Sequence, residues 1–172
     1  MTVPKGNRLL TVAVLALLTG TLDLIAAMII NYPATPFQIF RYIASGLFGK
    51  EAYQGNSMIL WGAFFHYTIA AVFSLGFFEL HVKFRMFIKN IYILAVIYGL
   101  MIWVIMYFAV LPLTNIPKMP EHLHINWLSI IKNVAALIIC LGLPISFLSE
   151  RYYIRKLLRR SHRRRKTSST IN

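Results

Sequence analysis

Leu9–Ile30 reads LLTVAVLALLTGTLDLIAAMII, 22 residues with one charge, Asp23. As a helix it rises about 33 Å at 1.5 Å per residue, enough to cross a hydrocarbon core of about 30 Å. Three further stretches have the same character: Met58–Leu80 (MILWGAFFHYTIAAVFSLGFFEL), Ile91–Leu113 (IYILAVIYGLMIWVIMYFAVLPL) and Trp127–Leu148 (WLSIIKNVAALIICLGLPISFL). In lipid only helices and closed barrels satisfy their backbone groups, and the alternating ten-residue segments of a barrel are absent. The spacing therefore predicts an all-α polytopic membrane protein, with four transmembrane helices in a bundle. The spans fall at about 9–30, 58–80, 91–113 and 127–148.

The rest of the composition agrees. Of 172 residues, 58% are apolar and 13% charged, and the mean hydropathy is +0.65. That excludes a disordered chain, a collagen-like chain and an ordinary soluble domain. One cysteine excludes a disulfide scaffold and a CxxC redox enzyme. Lys5 and Arg8 precede the first span as they do in a signal peptide. The apolar run, however, exceeds the usual 7–15 residues or so of such a region, and Asp23 interrupts it. A retained helix is expected. Residues 1–148 then form one transmembrane domain, and 149–172 a basic tail.

Lys and Arg set the orientation. With the N-terminus inside, 14 of the 18 basic residues are cytoplasmic, and only Arg41, Lys50 and Lys118 lie opposite. Lys132 is inside the fourth span. Both termini are expected in the cytoplasm, and in a bacterial cell this is the inner membrane. Trp61 and Trp127 fit an outer aromatic belt. Between the first two spans, Thr35 can N-cap a helix that starts at Pro36 and ends at Gly49. Phe37, Phe40, Ala44 and Leu47 recur at helical spacing within it. This predicts a short outer helix lying in the interface or folding back over the bundle; a plain covering loop is the alternative. The loop before Trp127 carries Pro117 and Pro120 and should be irregular. Pro144 should kink the fourth helix.

Three ionisable residues fall inside spans: Asp23, His66 and Lys132. Such residues cost a few kcal/mol on insertion scales, so each is a functional candidate. By helical rise they lie about 10, 12 and 7 Å from the outer ends of their spans. Each sits on a stripe of small residues at spacings of three and four: Ala16, Gly20, Asp23, Ala27; Gly62, His66, Ala70, Ser74; Ser129, Lys132, Ala136, Cys140. Small residues at that spacing let helices approach closely, so all three groups are expected to point into the bundle. The cluster then acts either as a structural pin of helix register or as a proton or solute site open to the outside. A snorkelling Lys132 is the third reading. Tyr67 and Asn133 adjoin the cluster, and Tyr98, Trp103 and Tyr107 give the third span a polar edge. Glu79 and Lys83 read as an ordinary helix-surface pair.

Nothing else carries chemistry. Glu121, His122 and His124 lack the ligand number of a metal site. No nucleotide, hydrolase or zinc-protease motif is present, and Cys140 reads as packing. No catalytic residue, metal or cofactor is expected. In the tail, Arg155, Lys156, Arg159, Arg160, Arg163, Arg164 and Arg165 form a basic cluster beside Tyr153, Ile154, Leu157 and Leu158. This predicts a basic cytoplasmic C-terminal helix that binds anionic lipid headgroups, at about 1 kcal/mol per residue near the surface. It accounts for most of the net charge of +13 without nucleic acid.

GTLD at Gly20–Asp23, ASGLFGKEAYQG at Ala44–Gly55, FFHYTIAAVFSLGF at Phe64–Phe77 and LGLPI at Leu141–Ile145 resemble small bacterial inner-membrane proteins of four spans, the YagU-like proteins. The resemblance covers most of the chain. It implies an inner-membrane location and a four-span architecture, and no catalytic residues; the basic tail departs from it. The expected protein is a non-enzymatic accessory or stress-related membrane subunit, working beside a second copy or another membrane protein. The alternative is a small oligomeric proton-linked transporter or channel built on Asp23, His66 and Lys132.

Overall fold

The apolar run that begins at Leu9 folds as α1 (Arg8–Ile30). The computed structural model describes residues 8–116 and 127–154. Glu121, His122, His124 and the basic cluster from Arg155 to Arg165 lie outside the described residues. A turn leads to α2 (Pro36–Phe48), which starts as its sequence predicts. Thr35 Oγ1 accepts from the Gln38 amide, and the Gln38 side chain accepts from the Thr35 amide at 2.8 Å, a reciprocal capping box. Gly49 closes the helix at φ 59°.

α3 (Ser57–Phe87) is 31 residues long and passes the end of its apolar run at Leu80 by almost two turns. Arg85 extends it, because its guanidinium donates to the carbonyls of Ile88 and Lys89 and satisfies the frayed end. Asn90 then caps α4 (Ile91–Ile105) by accepting from the amides of Tyr92 and Ile93. α4 continues through a π turn (Met106–Val110) and a 3-10 turn (Leu111–Leu113). The last span runs Trp127–Ile154. It comprises α5 (Trp127–Leu137), a π turn (Ile138–Gly142) and α6 (143–154).

Both π turns end one residue before a Leu-Pro pair, Leu111-Pro112 and Leu143-Pro144. A proline has no amide to donate, and its ring crowds the carbonyl four residues back. The wider turn makes room, with the Leu143 amide reaching back to Ile138 and the Leu111 amide to Met106. The disruption expected at Pro144 thus appears as a π turn ahead of the proline, and the helix continues.

Four helices are long and apolar enough to cross a membrane. Their outward faces carry large exposed apolar side chains such as Leu17, Leu60, Phe64, Val72 and Ile131, as a lipid-facing surface does. The inner faces meet at glycines, where small size permits close approach. A Cβ on Gly62 would overlap the Phe40 carbonyl of α2, and one on Gly142 the Ala95 carbonyl of α4. A Cβ on Gly99 would lie 2.6 Å from the Ile138 Cα. α1 and α3 run antiparallel, joined by Arg8–Glu79 at 2.8 Å, Thr19–Ser74 at 3.2 Å and Thr21–Tyr67 at 3.1 Å. Glu79 therefore pairs with α1 rather than with Lys83. At the opposite end Asn115 bonds the carbonyls of Gly46 and Leu47, tying the end of the third span to α2.

Candidate functional site

Along the inner face of α3, His66, Ser74 and His81 are buried, and the two histidines centre the larger polar groups. The first surrounds His66, which is 8% exposed. Its Nε2 is 2.8 Å from the Gly20 carbonyl. A carbonyl only accepts, so Nε2 carries the proton. Gly20 lets α1 and α3 approach closely here: a Cβ there would stand 2.8 Å from the Tyr67 ring. The rings of Tyr67 and Phe40 meet the imidazole edge-on, at 5.3 and 6.1 Å. Asp23, half-buried, lies within electrostatic reach of both His66 and Cys140, and it makes no hydrogen bond among the described residues.

Asp23 is half-buried on α1 and His66 buried on α3, and no hydrogen bond joins them among the described residues. Lys132 is exposed on α5, and no ion pair joins it to Asp23 among the described residues. The π turn supplies the reason. One extra residue in a turn rotates the upstream segment by about 100° relative to a straight helix. The stripe Ser129, Lys132, Ala136, Cys140 therefore does not hold one face. Cys140, within the π turn, is buried. Asn133 turns back on its own helix, donating to Ser129 at 2.9 Å. Trp103 and Tyr107 stack on each other at 5.4 Å.

The second place was not indicated by the apolar spans. His81, 1% exposed, sits one residue past Leu80. Its Nε2 donates to Glu150 Oε2 at 2.8 Å, and Arg85 donates to Glu150 Oε1 at 2.9 Å. On the far side of the ring, Nδ1 is 3.5 Å from the Tyr98 hydroxyl. A neutral His81 protonated on Nε2 offers Nδ1 as an acceptor, and the single Tyr98 proton is shared between it and the Phe77 carbonyl, also at 3.5 Å. Tyr153 stacks on the imidazole at 5.8 Å and 6° and donates to the Phe78 carbonyl at 3.2 Å. The knot ties α3 to α4 through Tyr98 and to α6 through Glu150. Its sequence signal is the stripe itself: Gly62, His66, Ala70 and Ser74 continue at spacings of three and four to Phe77, Phe78 and His81, all buried. Beside the knot, Ser146 and Ser149 bury hydroxyls that have no partner among the described residues.

In the first group the His66 proton bonds α3 to the α1 backbone. The second is a charge-assisted clamp between helices. Among the described residues no three His, Cys, Asp or Glu side chains are placed to hold a metal ion. Comparison of the chain with protein-family models, curated proteins and solved structures gives no match.

Proposed function

We propose that the chain is a non-enzymatic accessory protein of the bacterial inner membrane, with both termini cytoplasmic, and that its buried polar groups hold the helices in register. One observation carries this reading: His66 and His81 both spend their Nε2 proton on a bond to another helix. A polar side chain used in this way fixes how two helices meet. The excess of basic residues beside one set of span ends supports the orientation. The resemblance to the YagU-like proteins supports the location and a stress-related role. α2 lies in the outer interface in this reading. The basic tail binds anionic headgroups inside, and the partner is a second copy or another membrane protein.

A second reading, a proton-linked carrier, draws on Asp23. A half-buried intramembrane carboxylate without a hydrogen bond, next to an imidazole, is what a proton-binding site needs. The test is proton and cation flux across a pH gradient in proteoliposomes of wild type and Asp23→Asn. The accessory reading expects no flux from either protein. Flux in wild type that vanishes in a folded Asp23→Asn protein would overturn it and put the carrier first.

A further inference from the structure

Arg41 is a half-buried cation with no counter-ion among the described residues. A guanidinium has five N–H donors. Here Nη2 reaches the Gly55 carbonyl at 3.4 Å and Asn56 Oδ1 at 3.2 Å. Nε is buried without an acceptor, and Nη1 has none among the described residues. Desolvating a charge without neutralising it is costly. The side chain also lines a cavity of about 580 Å³ with Asn31, Gln38 and Tyr53, within the size range of small-molecule sites.

The other polar groups of that cavity are set to donate. Gln38 Oε1 is occupied by Thr35, which leaves its Nε2 amide free. Tyr53 contributes a phenol. Donors around an unneutralised guanidinium, with no carboxylate lining the cavity, select an oxyanion. Asn31 and Pro33 place the cavity at the end of α1; Tyr53 in its lining, and Tyr32 and Phe37 next in sequence to lining residues, are exposed aromatics. Aromatic residues of this kind lie at headgroup level, where lipid phosphates are.

We propose that the cavity beside α2 is a phosphate-binding site, in which Arg41 Nη1, Gln38 Nε2 and the Tyr53 hydroxyl take the phosphate group of a phospholipid headgroup or of a free phosphate ester. The phosphate supplies the negative charge that no described residue gives Arg41.

The test uses the full chain in a non-ionic detergent, with Arg159, Arg160 and Arg163–Arg165 changed to Gln so that the tail does not mask the signal. Short-chain phosphatidylglycerol and glycerol phosphate are titrated separately, and binding is read by calorimetry. The expected result is saturable binding that weakens about ten-fold in Arg41→Gln, as the loss of one charge-assisted contact predicts. It should weaken about three-fold in Gln38→Leu and stay unchanged in Lys50→Gln, at the same end of the molecule. Binding of the lipid alone assigns the headgroup as source; equal binding of glycerol phosphate assigns a soluble ester. Should Arg41→Gln fail to fold, Gln38→Leu and Tyr53→Phe decide. Binding of neither probe, or binding unaffected by any cavity substitution, overturns the proposal.

Discussion

Two histidines lie on one face of α3, 15 residues apart, and the protein uses them in different ways. His66 sits deep in its span and bonds to a backbone carbonyl, in a place made by the absence of a side chain at Gly20. His81 sits at the span's polar end and bonds to a carboxylate that also holds Arg85. The first contact is fixed by shape and the second by charge. Where α1 and α3 are pressed together at Gly20, a backbone carbonyl is the acceptor that His66 reaches. Where the helices run on past the apolar zone, long charged side chains reach across from α6 to α3.

The two sites should therefore fail under different substitutions. Glu150→Ala removes the shared acceptor and leaves His81 and Arg85 facing each other. Breaking a buried pair costs 3–5 kcal/mol or so; the partial exposure of Arg85 and Glu150 lowers this to about 2–3 kcal/mol. Thermal unfolding in detergent reads it, and a cost below about 0.5 kcal/mol would make the knot ornamental. Gly20→Val drives a branched side chain into Tyr67 and should cost about 1–3 kcal/mol through overpacking. Its effect belongs to the His66 site. At 1.5 Å per residue the two histidines are about 22 Å apart, so a Glu150→Ala, Gly20→Val double variant should be additive within about 0.5 kcal/mol. Coupling beyond that would show that the sites communicate.

Smaller effects sharpen the contrast. His66→Phe keeps a ring in place and loses one interhelical hydrogen bond, worth about 0.6 kcal/mol on average in a membrane. His81→Phe loses the same kind of ring but strands Glu150 beside Arg85 alone, and should cost more than His66→Phe in the same assay. Ser149→Ala removes a buried hydroxyl with no partner among the described residues. It should be neutral or stabilising by up to about 1 kcal/mol. A clear destabilisation would mean that this hydroxyl has an acceptor after all, and would enlarge the polar knot.

Of the candidate cluster, Asp23 and His66 were legible in the sequence because helical spacing alone put them on the small-residue faces of α1 and α3. Lys132 was placed by the same arithmetic, and the arithmetic assumed an unbroken helix. The π turn at Ile138–Gly142 breaks that assumption, and its only sequence mark is the proline two residues on. His81 and Glu150 escaped because they fall outside the apolar runs, among residues that composition assigns to the aqueous edge. Nothing local in either residue announces the other across 69 positions.

The sequence by itself determined the four apolar helices long enough to cross a membrane and the caps of α2. Hydrophobic length and backbone satisfaction in lipid are properties of each segment alone. Thr35, Pro36 and Gly49 act within a turn or two of themselves, so α2 could be read before it was seen. Tertiary structure alone decided the pairings: Gly20 with His66, Gly142 with the Ala95 carbonyl, Glu150 with His81, and Arg41 with Gly55 and Asn56. Those depend on how four apolar cylinders are rotated about their axes. Apolar surfaces pack acceptably at many rotations, and only close approach at particular glycines, together with the cost of an unmatched polar group, selects one.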